Sequence, residues 1–174
     1  FRPCTLVNLK YRHIRRDFEQ GRNPIHIHVE SEINKGEYAS YDTFIGAEAV
    51  EALRAYLSIR RRGTRKTPPE EIVDESPLIR NEFLAAGTIR RGKIPPGITS
   101  DRISDLLREL FYRAGLISKT QRRRHQIRPY GLRKFFKTQL EARGVKTVYV
   151  EYMMGHVRSP YDRTSIEFLR SQYA

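Results

Sequence analysis

The chain has 174 residues, with 33 Lys and Arg against 20 Asp and Glu, a formal charge of +13 and a pI of about 10.2. That length can bury one sizeable core, and a hydrophobic fraction of 39% with ten tyrosines excludes a disordered polyelectrolyte. No apolar run is long enough to cross a bilayer and no signal pattern opens the chain. The single Cys4 excludes an internal disulfide framework and a cysteine zinc site, which fits a reducing cytoplasm. An excess of cations this large on a folded domain points to a polyanion, with nucleic acid first.

The chain opens on Phe1-Arg2-Pro3 with no initiator methionine, as expected of a C-terminal fragment of a longer protein. Leu6, Leu9 and, after a turn, Ile14 have helical spacing. Asn23-Pro24 marks a turn, after which Ile25, Ile27 and Val29 alternate with His26, His28 and Glu30, the pattern of a half-buried strand. A loop carrying Asn34-Lys35-Gly36 leads to a return strand over 38–45. Two histidines at i and i+2 on one strand could bind a metal, but no third ligand stands nearby, so no metal is expected.

From Gly46 to about Arg62 the residues Ala49, Val50, Leu53, Tyr56 and Leu57 predict an amphipathic helix. It runs into the basic stretch Arg60 to Lys66, part of which suits a helix C-terminus. Residues 68–77 read as a loop, 78–89 are weakly patterned, and 90–97 form a connector rich in breakers. Thr99 or Ser100 can cap the next helix, whose stripe of Ile103, Leu106, Leu107, Leu110, Phe111 and Ala114 predicts core, with Gly115 ending it. The basic loop Arg122-Arg123-Arg124 that follows is expected to contact phosphate.

The most informative stretch is 130–161, YGLRKFFKTQLEARGVKTVYVEYMMGHVRSPY. It predicts a helix with a buried stripe of Leu132, Phe135, Phe136 and Leu140, a break at Gly144, and a second short helix ending at Met153-Met154-Gly155-His156. Tyr161 follows five residues later. An arginine, a histidine and a phenol in this order suit phosphoryl transfer. Guanidinium grips a phosphate oxygen, imidazole donates to developing charge, and phenol can attack and become covalently attached.

This stretch resembles the second conserved box of the tyrosine recombinases, the phage-type integrases, with their His-x-x-Arg, Leu-Gly-His and nucleophilic Tyr. The resemblance assigns Arg133 to the second catalytic arginine, Tyr130 to the position usually held by histidine, and His156 to the third polar position. Tyr161-Asp162-Arg163-Thr164 with Ile166-Glu167-Phe168-Leu169 is similar to the tail of archaeal members, which makes Tyr161 the nucleophile although the gap after His156 is short. By position, Arg2 matches the first catalytic arginine, with Thr5 where the family has an acidic residue, and Lys35 matches the hairpin lysine. Lys134 and Lys137 are expected to add DNA-binding charge. Tyr149, Tyr152 and Tyr173 read as packing.

The resemblance implies a single catalytic domain over 1–174, without the N-terminal core-binding domain, and a mainly α fold with a small antiparallel β-sheet. It implies a site-specific recombinase or integrase that cuts and rejoins double-stranded DNA through a 3′-phosphotyrosyl intermediate. The enzyme would work as a homotetramer on DNA, in the cytoplasm of a prokaryotic or viral system, without metal or cofactor. Two readings share the fold: an inactive DNA-binding regulator, and a type IB topoisomerase. An unrelated basic RNA-binding protein is the remaining alternative.

Overall fold

The computed structural model describes residues 1–34, 39–118, 129–156 and 165–174. The chain is mainly helical with one small two-stranded antiparallel sheet, an α+β architecture. Two short helices, α1 (Pro3–Asn8) and α2 (Arg12–Glu19), precede strand β1 (Ile25–Val29), which pairs with β2 (Tyr41–Ile45) from Ile25 opposite Ile45 to Val29 opposite Tyr41. A 3-10 turn over Ser31–Ile33 starts the connection between the strands. Tyr38, expected in the return strand, lies outside the described residues, and the strand proper begins at Tyr41.

The sheet is a wall between two cores. Ile25, Ile27, Val29 and Tyr41 face one of them, with Leu9, Ile14, and Val50 and Leu57 of α3 (Ala47–Arg62). Phe44 faces the other, with Leu140, Val150, Met153 and Leu169. β1 alternates as its sequence predicts, but four of the five residues of β2 are buried, because both of its faces are covered. His26 and His28 share the Phe44 side, and Asp42 Oδ1 lies 2.7 Å from His26 Nε2 and 2.9 Å from His28 Nδ1.

The basic run after α3 divides. Arg60 turns inward and is 1% exposed. Its Nε and Nη2 donate to Glu70 at 3.1 and 2.5 Å, and its Nη1 donates to the Pro77 and Leu78 carbonyls. Arg80 Nε adds a third donor to Glu70 at 2.9 Å. This triad fastens the end of α3 to the segment that returns beneath it.

Asn81 caps α4 (Glu82–Arg90) and Thr99 caps α5 (Ser100–Arg113), each accepting a backbone N–H from the first turn. The α5 stripe is not core along its whole length. Ile103 is buried and Leu106 and Leu107 are half-buried, whereas Leu110 is 57% exposed and Ala114 is exposed. The apolar period fixes which face of a helix seeks cover, and of this stripe Ile103 and Leu107 line a cavity with Pro3 and Leu6 of α1.

Three helices complete the second core: α6 (Pro129–Ala142), α7 (Thr147–Met153) and α8 (Ile166–Tyr173). The predicted stripe on α6 is displaced. Leu132 and Phe135 face outward, the latter 62% exposed, while the inward line runs Arg133, Phe136, Leu140 at i, i+3 and i+7. An arginine therefore occupies a core-facing position. Tyr173 packs as expected, its ring 5.6 Å from Phe44 and 6.2 Å from Phe136, and Tyr149 and Tyr152 border the same core. Among the described residues no helix is long and apolar enough to cross a membrane.

Candidate active site

The end of α7 builds the site. Met154 caps the helix and Gly155 follows with φ +67°, a left-handed turn that a Cβ would not fit, since it would come within 2.6 Å of the Tyr41 ring. Gly155 N–H bonds the Tyr152 carbonyl at 2.8 Å and His156 N–H bonds the Glu151 carbonyl at 3.0 Å. These are the paired bonds of a Schellman ending. They set His156 back against Glu151, and the Met154 carbonyl, past the last helical residue, remains free to accept.

Arg133 takes up both groups. Its Nη2 donates to Met154 O at 2.8 Å and lies 2.9 Å from His156 Nε2. A guanidinium can only donate, so His156 Nε2 is the acceptor and its proton sits on Nδ1. Nδ1 in turn meets Glu151 Oε2 at 2.5 Å, and Lys137 Nζ bonds the other Glu151 oxygen. The chain Lys137–Glu151–His156–Arg133 thus fixes both the orientation and the tautomer of the imidazole.

Arg133 is 6% exposed, and its Nε is buried without a partner. Among the described residues it has no carboxylate partner. Burial lowers the proton affinity of its guanidinium, and the neighbouring Arg2 lowers it further. Arg2, at the N-cap of α1, donates to Asn34 Oδ1 at 3.2 Å and meets no carboxylate among the described residues. The Tyr41 phenol feels both arginines, although burial dominates and raises its pKa. Two guanidiniums with no carboxylate among the described residues to neutralise them make a place that favours an anion.

Of the residues singled out in the sequence, the structure therefore brings together Arg2, Arg133 and His156. Tyr130 starts the same helix as Arg133 and is close enough to act on its charge, but it is 60% exposed. Lys134 is exposed on the outer face of α6, and Lys137 is committed to Glu151. Lys35, Arg122, Arg123, Arg124 and Tyr161 lie outside the described residues. Asn34, which immediately precedes Lys35, binds Arg2 through its oxygen and the Ala39 carbonyl through its Nδ2, so it ties the hairpin connection to the site.

Sequence reasoning missed Asn34, Glu151 and the Met154 carbonyl. Glu151 was legible in principle. A helix that ends on Gly155 in a Schellman turn brings the residue four before the glycine against the residue after it. His26 and His28, weighed above as metal ligands, are instead spent on Asp42, which also accepts from Tyr152 Oη at 2.5 Å. Among the described residues no group of three or more His, Cys, Asp or Glu could hold a metal ion. No family model matches the chain, and comparison with curated proteins and with solved structures gives no significant match.

Proposed function

We propose that this chain is the catalytic domain of a tyrosine-type site-specific DNA recombinase and has the fold of that family. The observation that supports this reading best is the uncompensated guanidinium pair, Arg2 and buried Arg133, beside an oriented His156. A phosphodiester carries a single negative charge and two non-bridging oxygens, which match two guanidiniums that no carboxylate among the described residues neutralises.

In the proposed reaction, Arg2 and Arg133 bind the non-bridging oxygens of the scissile phosphate. As the phosphate engages Arg133, His156, in its protonated form, donates to the charge that grows on a non-bridging oxygen. The phenol of Tyr161 attacks phosphorus and releases its proton to water. The bond to the 5′-oxygen breaks, and Lys35 protonates that leaving oxygen. The product is a 3′-phosphotyrosyl enzyme and a free 5′-hydroxyl. A 5′-hydroxyl from a second strand reverses the step. The bond energy stays in the linkage, so the scheme requires no nucleotide. A tetramer holding two duplexes is the assembly in which such exchange takes place, with the nucleoid as its location.

A nicked suicide DNA, or supercoiled plasmid where the site is unknown, tests this. A covalent protein–DNA adduct is expected from the parent and none from Tyr161→Phe. Relaxation of plasmid without recombination would instead make the protein a topoisomerase. Binding without any adduct would make it a regulator.

A further inference from the structure

The basic run at the end of α3 has no role in the site above, which is built from α1, α6 and α7. Part of it is structural, since Arg60 is sealed against Glu70. Arg54, Ser58, Arg61 and Arg62 recur at helical spacing on the outer face of α3 and line an open hollow of about 700 Å³ with Phe18 and Gly21 of the neighbouring α2 region.

Aromatic rings, not carboxylates, hold two of these guanidiniums. Arg54 lies 6.0 Å from the centre of the Phe18 ring, and Arg61 lies 5.7 Å from that of Tyr11 while donating to the Tyr11 hydroxyl at 3.1 Å. Stacking on an aromatic face orders a guanidinium and leaves its edge N–H groups and its charge available. Among the described residues the acid that lines this hollow, Glu19, already accepts from Arg15 and from Tyr11.

The chain then turns at Gly63, whose φ of +75° and close approach to Pro69 leave no room for a Cβ. The tight turn over 64–67, closed by Thr64 N–H to the Thr67 carbonyl at 2.7 Å, presents Arg65 and Lys66 to solvent beside Arg62. Among the described residues none of Arg54, Arg61, Arg62, Arg65 and Lys66 makes an ion pair or donates to a helix carbonyl. Compensation of the helix dipole therefore does not account for them. Five cations left unpaired, two of them ordered by rings, is an arrangement that suits a row of phosphates.

We propose that the outer face of α3 with its 62–66 turn is a second nucleic-acid surface that binds the phosphate backbone of a DNA duplex away from the phosphate held by Arg133. This rests on the DNA-directed reading above, and it assigns Arg54, Arg61, Arg62, Arg65 and Lys66 to positioning the duplex. Such contacts carry no sequence information, so they set affinity and its salt dependence.

The test measures binding of a short mixed-sequence DNA duplex across a series of NaCl concentrations. The parent is compared with Arg62→Ala/Arg65→Ala/Lys66→Ala, which alters only exposed side chains. Each lost phosphate contact makes the slope of log K against log salt shallower by about 0.9, so a slope reduced by up to about 2.7 is expected. An unchanged melting temperature establishes that the variant is folded. The parent slope retained in a folded variant overturns the surface and leaves the recombinase reading intact. A parent that does not bind duplex overturns both. Loss of binding to vesicles containing phosphatidylserine, with duplex binding kept, also overturns it and assigns the patch to an acidic membrane. Arg62→Lys/Arg65→Lys should restore the parent slope, which separates charge from shape.

Discussion

Arg60 and Arg133 are both helical arginines with almost no exposed surface, and they sit in opposite electrical settings. Arg60 has Glu70 on two of its nitrogens and two carbonyls on the third, with Arg80 sharing the carboxylate. Arg133 has one carbonyl, one imidazole, an unpartnered Nε and a second arginine nearby. Burial alone therefore says little about a charged residue. What distinguishes a fastening from a site is whether the counter-charge is built into the fold or left to be supplied from outside.

Stability should show the widest separation. Arg60→Ala leaves Glu70 buried with its main partner gone and should cost about 3–5 kcal/mol in chemical denaturation. Arg133→Met strands no carboxylate and should cost at most about 1 kcal/mol. If the two cost the same, the distinction between them is lost. In strand cleavage the order should invert, because removing a guanidinium that stabilises developing charge costs about 100-fold to 1,000-fold. Arg133→Ala should therefore lose adduct formation while remaining folded.

Glu151 sharpens the site half of the comparison. Glu151→Ala removes the acceptor that anchors His156 Nδ1 and frees the ring to turn, and single-turnover cleavage should fall by about 10-fold to 100-fold. Its pH profile should change as well, whereas a merely structural loss would lower the rate at every pH alike.

Asp42 supplies a pH test on the sheet. Burial alone would raise the pKa of its carboxyl, but the bonds from His26, Tyr152 and His28 outweigh this and hold it at about 2. A carboxyl depressed in the folded state stabilises above its unfolded pKa, near 4. That contribution, on the order of 2 kcal/mol, is lost as pH falls from about 4 through about 2. Asp42→Asn should lower stability at neutral pH and flatten the acid limb of the unfolding curve. Gly155→Ala probes the turn that carries His156. The left-handed turn costs about 1–2 kcal/mol for an alanine, and contact with Tyr41 should also displace His156, so thermal melting and cleavage fall together.

Some of this was written plainly in the chain and some was not. The strand over 25–29, the helix over 47–62 and the cap at Thr99 follow from alternation, apolar period and a side-chain acceptor, which are local signals. The stripe on α6 failed because Leu132 and Phe135 are as apolar as any core residue, while the inward position belongs to Arg133. Periodicity treats an arginine as surface and cannot see that a helix end 21 residues on offers it a carbonyl. The exposed half of α5 failed for a related reason, since the extent of cover depends on a partner and not on the helix itself. Arg2, Arg133 and His156 were singled out by a resemblance, and the fold places them near one another. Asn34 and Glu151, which hold Arg2 and His156, had only tertiary signals.

The seven residues of α7 have a consequence for when chemistry becomes possible. A helix this short does not persist in water, because nucleating it costs more than so few bonds return. It exists while it is docked, with Tyr152 on Asp42 at one side and Met154 O and His156 on Arg133 at its end. The same docking event therefore forms the helix, frees the carbonyl and sets the imidazole. On the proposed reading, a nascent or partly unfolded chain has its arginines but no oriented histidine. The competence to break a DNA strand then arrives only with completed folding and is withdrawn by the first local opening.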